Sequence, residues 1–465
     1  MRSSWLAPLL LTLGFAVCVQ AAPAQAPARV TPGSKGEMQL SFKAVVAKAS
    51  PAVVSVFATR VVREMAIDPR LAQFGLMMGV PQDRVQGSLG SGVIVGADGV
   101  IVTNHHVVEK AQEMKIVMSD RREFEAKLVL DDPKSDLAVL RIDTKGEKLP
   151  VLPFADTHAL EVGDLVLAIG NPFGLSQTVT NGIISAVGRT GIGEGYSSFI
   201  QTDAAINEGN SGGALVDMNG ALAGINTMIL SPDSGHGSAG IGFAIPAEMV
   251  RSVVDSALKG GGKIVRPWLG VKGQPVNQQT AKALGMASPK GMMISEIYPN
   301  SPAAKAGLVK GDVVLAVNGT EVFDEGGVRY QAATLRPGAP LIIDVIKGNA
   351  RRQVTTRAEA PPRDPAPDMR TLQGAIPLAG TQVANLSPAE AEEVGFDTFV
   401  SGVYIKAMQP SGVAARLGLR PGDIIRDVNG KPVRTSAELD AALRLPSQHW
   451  VVGVERAGQR LELQI

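Results

Sequence analysis

The sequence of 465 residues predicts a mainly β protein built from several domains, and three observations carry that prediction. From about 39 to 250, short β-rich runs alternate with glycine turns (AVVSVFATRVV, GSGVIVG, GVIVTNHHVV, MKIVM, LAVLRI, LVLAIG, GIISAVG), as in an all-β barrel or sandwich. No long helical period interrupts them until AEMVRSVVDSALKG at 247–260, where apolar residues fall at helical spacing and the run ends in Gly260, Gly261 and Gly262. That stretch reads as a closing helix followed by a hinge. Lastly, SPAAKAGLVKGDVVLAVNGTEV at 301–322 recurs as GVAARLGLRPGDIIRDVNGKPV at 412–433, a constant offset of 111. A period that long means two copies of a whole small domain. The length suits about three domains at ~150 residues each.

In chain order, residues 1–21 read as a secretory signal peptide: Arg2 gives a positive start, and Leu6 to Val19 is almost entirely apolar. Val19-Gln20-Ala21 offers a cleavage site, and the apolar run is shorter than the ~20 residues a membrane span needs. Residues 22–38 form a disordered lead rich in Ala, Pro and Gly, 39–260 the β-rich domain, and 264–358 the first repeated domain. A Pro-rich linker at 359–370 precedes the second copy at 371–465. The sole cysteine, Cys18, lies inside the signal after Val17, which is no lipoprotein pattern, so the exported chain carries no disulfide. That suits a bacterial periplasm. The 45 basic and 44 acidic residues leave a net charge of +1, which argues against nucleic acid or an anionic membrane as the main partner.

The chemistry starts from GNSGGAL at 209–215. Its glycines permit backbone conformations that could form a plain turn or aim several N–H groups at one point. A serine nucleophile needs a base, and the base needs an orienting carboxylate. Of five histidines, His105 and His106 stand together in TNHHVV, a strand-like segment in which only one can face a shared site. Asp136, in DPKSDLAVL, sits at the edge of an apolar run where it can be held against an imidazole. Each signal alone has a plainer reading as a structural histidine, a turn aspartate or a glycine turn. Together they give the order His106, Asp136, Ser211 on one β-rich domain. No histidine pair has metal-ligand spacing with a further acid, so neither a metal nor another cofactor is expected.

TNHHV, SDLAVL and TDAAINEGNSGGAL resemble the motifs of chymotrypsin-fold serine proteases, and more closely those of the HtrA (Do-like, DegP/DegQ) periplasmic proteases. The resemblance runs over nearly the whole chain. It implies a chymotrypsin-like double β-barrel followed by two PDZ domains. It selects His106, just before the valine, as the base, with His105 a bystander where the family more often has asparagine. It implies an oxyanion hole in the turn Gly209, Asn210, Ser211, formed by the N–H groups of Gly209 and Ser211. Asn210 stands where digestive proteases carry an aspartate that captures a new N-terminus, so control falls to loop rearrangement.

Trypsin-like enzymes have an aspartate six residues before the serine. Here Ala205 holds that position, followed by Ile206, which predicts an apolar pocket of modest size. The segment Thr227, Met228, Ile229, Leu230, Ser231 matches the family loop that binds substrate. Val, Ile, Ala or Leu should precede the scissile bond, which favours unfolded polypeptides because such side chains are normally buried. Asp203 is the counter-candidate for a basic-residue pocket.

RPWLGV resembles a PDZ carboxylate loop, in which Arg266, Pro267, Trp268, Leu269 and Gly270 would receive exposed C-terminal peptides. LQGAI at 372–376 is the weaker counterpart, with SAELDAALRL at 436–445 as its flanking helix. The insertion 63–87, with Phe74, Leu76, Met77 and Met78, resembles a regulatory loop that touches neighbouring subunits, and GRTGIGEGY at 188–196 resembles a sensor loop. The resemblance implies a trimer-based homo-oligomer acting without ATP on misfolded exported proteins as a protease; the alternatives are a dual chaperone and protease, or a PDZ peptide-binding scaffold in which proteolysis is secondary.

Overall fold

The computed structural model describes residues 41–67, 79–172, 177–192, 195–196, 198–207, 209–229, 240–259, 264–348, 350–447 and 449–464. Two closed six-stranded barrels follow a short helix α1 (Lys43–Ala49). The first barrel contains β1 (Val53–Ile67), β2 (Gly79–Gly96), β3 (Val100–Thr103), β4 (Glu113–Val117), β5 (Glu123–Asp132) and β6 (Leu137–Ile142), in the order β1-β2-β3-β6-β5-β4. The second contains β7 (Leu165–Gly170), β8 (Thr178–Arg189), β9 (Phe199–Thr202), β10 (Ala214–Asp217), β11 (Leu222–Ile229) and β12 (Gly242–Pro246), in the order β10-β11-β12-β9-β8-β7. Between the two architectures left open by strand spacing, the closed barrel is the one adopted. Closure removes exposed sheet edges and turns alternate side chains inward. Val166 and Ala168 of β7 thus pack with Ile184, Ile200, Leu215 and Ala244 in one core.

The β1–β2 hairpin is long. β1 pairs with β4 only over Ser55–Thr59, while its pairing with β2 continues to Ile67 opposite Gly79. Past the barrel wall this arm exposes the facing pair Val61 and Val85. Phe74, Leu76, Met77 and Met78 lie outside the described residues.

TNHHVV departs from the strand expected of it. β3 stops at Thr103, Asn104 is extended, and His105–Val108 form a helical turn, α2. Valines at 107 and 108 suggest β propensity, but both are buried under the turn, and tertiary packing overrides that preference. A helix α3 (Ala247–Leu258) closes the domain as its periodicity predicts, burying Met249, Val250, Val253 and Val254.

Each repeat builds its own sheet. The first has β13 (Val271–Pro275), β14 (Met292–Ile297), β15 (Val313–Val317), β16 (Thr320–Glu321), β17 (Pro340–Lys347), β18 (Ala350–Arg357) and helix α4 (Glu325–Ala333). The second has β19 (Arg370–Thr371), β20 (Gln382–Leu386), β21 (Gly402–Ala407), β22 (Ile424–Val428), β23 (Lys431–Pro432), helix α5 (Ser436–Leu443), β24 (Val451–Arg456) and β25 (Gln459–Gln464). The repeated residues are the fold's joints. Asn318 and Asn429 take φ of 49° and 52°, and their side-chain oxygens accept from the N–H groups of Ile342 and Val451. Asparagine is among the few residues that hold this left-handed conformation readily.

Candidate active site

The two barrels contribute separately to one site. His106 follows β3 and Asp136 ends the turn between β5 and β6, both in the first barrel, while Ser211 precedes β10 in the second. His106 Nδ1 lies 2.9 and 3.0 Å from the two carboxylate oxygens of Asp136, and the His106 backbone N–H donates to the same carboxylate at 3.1 Å. Thr227 Oγ1 donates to it at 2.5 Å, and Asn104 Nδ2 holds the Asp136 carbonyl at 2.9 Å. Asp136 takes a left-handed φ of 52°, a strained conformation that four surrounding groups over-determine. Burial pushes its carboxyl up, but the His106 ring, the Thr227 hydroxyl and the His106 N–H outweigh burial and hold it below the usual carboxylate range. His105 turns to Asp131 instead, 2.6 Å away, and takes no part in this cluster.

Ser211 Oγ donates to the Thr227 carbonyl at 3.2 Å. Among the described residues it makes no hydrogen bond to His106. The turn around it is set by glycine: Gly209 and Gly212 have φ of 98° and 81°, and a Cβ on Gly212 would lie 2.1 Å from the Ser91 carbonyl. No described residue accepts from the Gly209 or Ser211 N–H groups. Asn210 lies in the same turn, with its N–H donating inward to the Asn207 carbonyl at 3.0 Å and its side chain buried.

The pocket residues separate. Ala205 is half-buried, but Ile206 is a core residue of the second barrel, only 1% exposed, and does not face substrate. The alternation of the chain places Ala204 and Ile206 inward together. Thr227 is buried too, so its hydroxyl serves Asp136 and not a substrate. Met228 and Ile229 continue β11 opposite Phe243 and Gly242. Leu230 and Ser231 lie outside the described residues. Asp203, the counter-candidate, is spent on the Ile183 N–H at 2.7 Å.

The PDZ carboxylate loop needs a larger correction. Arg266 is buried and paired with Asp132, which also accepts from Ser135 Oγ. Its guanidinium lies over the Tyr196 ring at 4.5 Å, and that of Arg329 lies over the same ring at 5.0 Å. A guanidinium so committed cannot also receive a peptide carboxylate. The turn 132–136 therefore carries both the Arg266 anchor and Asp136. Tyr196, at the end of the expected sensor loop, donates its N–H to the Lys134 carbonyl at 2.9 Å, and Lys134 pairs with Glu392 of the second repeat at 2.9 Å. Pro267 is buried, Leu269 is core, and Gly270 has φ of 74° where a Cβ would strike Ser301. The Trp268 N–H donates to Glu359 at 3.0 Å. Its ring sits 5.3 Å from Tyr298 and 6.4 Å from Phe399 of the second repeat, beside the Lys272–Asp397 pair.

In the second repeat the segment leading into β20 is Leu378–Gly380, with Gly380 at φ 78°, and not LQGAI at 372–376. The groove between β20 and α5 is already filled. β19 pairs antiparallel with β20 and Asn385 N–H donates to Pro367. On the other side, Ser436 Oγ donates to the Asp368 carbonyl at 2.8 Å, and Arg370 reaches Asp440 at 3.8 Å. The chain's own linker lies where an added peptide strand would lie.

A double barrel with a histidine–carboxylate pair in one half and a serine in a glycine turn of the other defines a trypsin-like serine peptidase, here followed by two PDZ domains. Residues 90–225 match the trypsin-like peptidase domain, and 293–355 and 404–453 match the PDZ domain. The periplasmic serine endoprotease DegP of Escherichia coli is 39% identical over 378 residues, covering 81% of this chain and 76% of that protein. A probable periplasmic serine endoprotease, DegP-like, of Pseudomonas putida is 37% identical over 441 residues, 88% of this chain and 89% of the relative. The solved HtrA-type protease AlgW with decapeptide aligns at 40% identity and a TM-score of 0.50, over 70% of this chain and 99% of that one. The chain belongs to the HtrA/DegP family of periplasmic serine endoproteases and is a serine endopeptidase.

Proposed function

We propose that His106, Asp136 and Ser211 act as the catalytic triad of an ATP-independent endopeptidase that cleaves unfolded or damaged exported proteins. The observation that carries this reading is the Asp136 carboxylate held against His106 Nδ1, which leaves Nε2 to act as base. The Ser211 hydroxyl turns from Thr227 toward Nε2, gives up its proton to it, and the oxygen attacks the substrate carbonyl carbon. The Gly209 and Ser211 N–H groups stabilise the oxyanion that forms. As the carbon–nitrogen bond breaks, His106 passes the proton to the departing amine. Water then hydrolyses the acyl-enzyme with His106 again as base, which restores the Ser211 hydroxyl.

Ala205 at the pocket position supports cleavage after small or medium apolar residues. Export by a cleaved signal at 1–21 fits the compartment of the relatives. Assembly into a trimer-based homo-oligomer is supported by the β1–β2 arm, whose exposed Val61 and Val85 extend beyond the barrel. The first PDZ domain is the one available to C-terminal peptides, since the second groove holds its own linker. Casein degradation by the wild type, lost in Ser211→Ala, tests the protease reading. Suppression of aggregation measured in both proteins separates a protease from a dual chaperone. Intact cleavage in Ser211→Ala would overturn the assignment of the nucleophile. Light scattering after size exclusion, with and without unfolded substrate, tests the assembly.

A further inference from the structure

We propose that Ser91 is a positioning residue for the reaction: its buried hydroxyl and its own N–H fix the two peptide planes that flank the one carrying the Ser211 N–H, and so aim that donor at the substrate carbonyl. The proposal rests on the reading of Ser211 as nucleophile. Ser91 lies in β2 of the first barrel, while the turn it holds belongs to the second. It is fully buried. Its hydroxyl donates to the Gly209 carbonyl at 2.5 Å and accepts from the Asn171 N–H at 2.8 Å, and its own N–H donates to the Ser211 carbonyl at 2.8 Å.

The geometry of those bonds gives the hydroxyl its role. A peptide unit is a rigid plane, so holding its carbonyl also holds its N–H. The Gly209 carbonyl belongs to the plane that precedes the Asn210–Ser211 peptide, and the Ser211 carbonyl to the plane that follows it. The plane between them carries the Ser211 N–H. Ser91 grips both flanks. The first flank depends on the side chain: among the described residues the Ser91 hydroxyl is the sole donor to the Gly209 carbonyl. Gly209, at φ 98°, has no Cβ to restrain its rotation, and its peptide plane is held from two sides, by the Ser91 hydroxyl on its carbonyl and by the Asn207 carbonyl on the Asn210 N–H.

The surrounding sequence is shaped for close approach. Ser91 stands between Gly90 and Gly92, and a Cβ on Gly90 would meet the Val107 side chain at 2.7 Å and the Ser211 carbonyl at 3.2 Å. Thr103 Oγ1, one strand away and three residues before His106, donates to the Ser91 carbonyl at 2.7 Å. One serine thus connects the strand that leads to the base with the turn that carries the oxyanion donors.

The test uses the full-length protein with Ser91→Ala and Ser91→Cys, the second keeping the shape and a weak S–H donor. A fluorophosphonate label on Ser211, absent in Ser211→Ala, reports separately whether Ser211 is the nucleophile. In Ser91→Ala, kcat on a small peptide should fall about 10–100-fold with KM within about threefold, the size of effect from a displaced transition-state donor. Affinity for a peptide aldehyde, whose adduct carries the oxyanion, should fall by the same factor, while affinity for the matching peptide amide holds. Ser91→Cys should keep more of both. A kcat within threefold of wild type in a folded Ser91→Ala protein overturns the proposal. So does an equal loss of aldehyde and amide affinity, the mark of general damage to the site.

Discussion

Replacing Arg266 by methionine would leave the Asp132 carboxylate buried with no countercharge. The two side chains are 7% and 5% exposed, so water cannot replace the lost partner, and only the Ser135 hydroxyl remains on the acid. Breaking a buried pair from one side costs about 3–5 kcal/mol. At about 1.4 kcal/mol per factor of ten, the ratio of docked to undocked first PDZ domain should fall by roughly two to three and a half orders of magnitude. The domain would stay partly held by Arg329 on Tyr196 and by Arg336 on Asp255, so the chain should remain folded.

The assay is amide hydrogen exchange at Tyr196, whose N–H is bonded to the Lys134 carbonyl in the turn that Arg266 clamps. Exchange there should speed up at least tenfold in Arg266→Met, and kcat/KM should fall with it because Asp136 closes the same turn. Arg266→Met combined with Asp132→Leu removes both charges and should restore most of the protection, since an apolar pair of similar volume commonly replaces a buried ion pair at little cost. A change under tenfold in the single variant, or a double variant as exposed as the single, would refute the argument.

His106→Ala should remove activity by several orders of magnitude, while His105→Asn, which loses only its bond to Asp131, should keep kcat/KM within about tenfold; the reverse result would exchange their roles. Mass-spectrometric mapping of casein fragments should show cleavage after Val, Ile, Ala and Leu, and abundant cleavage after Lys or Arg would sink the apolar pocket. Asp136 is held below its ordinary range, so it stabilises the folded state above about pH 4 and loses that contribution as pH falls through its lower folded value. Asp136→Asn should therefore flatten the acid limb of Tm against pH below about 4, and identical limbs in both proteins would count against the pairing. Exchanging 366–371 for a Gly/Ser stretch should add a second binding event for a C-terminal peptide in calorimetry, and one unchanged event would show that the linker is not what closes that groove.

What could be read in the sequence was local. The strands, the closing helix and the repeat each announce themselves within a dozen or two residues, by period or by recurrence. Ser211, with glycines at 209, 212 and 213, could be singled out for the same reason. What could not be read depended on partners far along the chain. The Thr227 hydroxyl meets Asp136 across 91 positions, and Arg266 meets Asp132 across 134. The expectation of a strand at TNHHVV failed because buried valines read alike in a strand and in a packed helical turn. Ile206 adjoins Ala205 in the sequence, but the fold points the two residues to different surroundings. Ser91 did leave a signal: a serine between two glycines, just before the apolar run Val93-Ile94-Val95, marks a place where another backbone comes close.

The two PDZ copies separate the residues that fold a domain from those that connect it. Asp312 and Asp423 accept from the N–H groups of Val309 and Arg420, three positions before each, and this joint repeats with the sequence. The interdomain contacts do not repeat. Arg266 has no counterpart in PLAGT at 377–381, which precedes β20 as RPWLG precedes β13. Glu392 lies in the helix Pro388–Val394, whose equivalent after β13, Gln278–Ala283, holds no acid. Phe399 and Asp397 belong to the second copy alone, and they contact Trp268, Tyr298 and Lys272 of the first. Residues common to both copies are thus committed to the shared fold, and contact with the rest of the chain rests on positions where the copies differ. Arg266 and Glu392 converge on the turn 132–136 and on Tyr196 beside it, so both PDZ domains contact the short segment that carries Asp136.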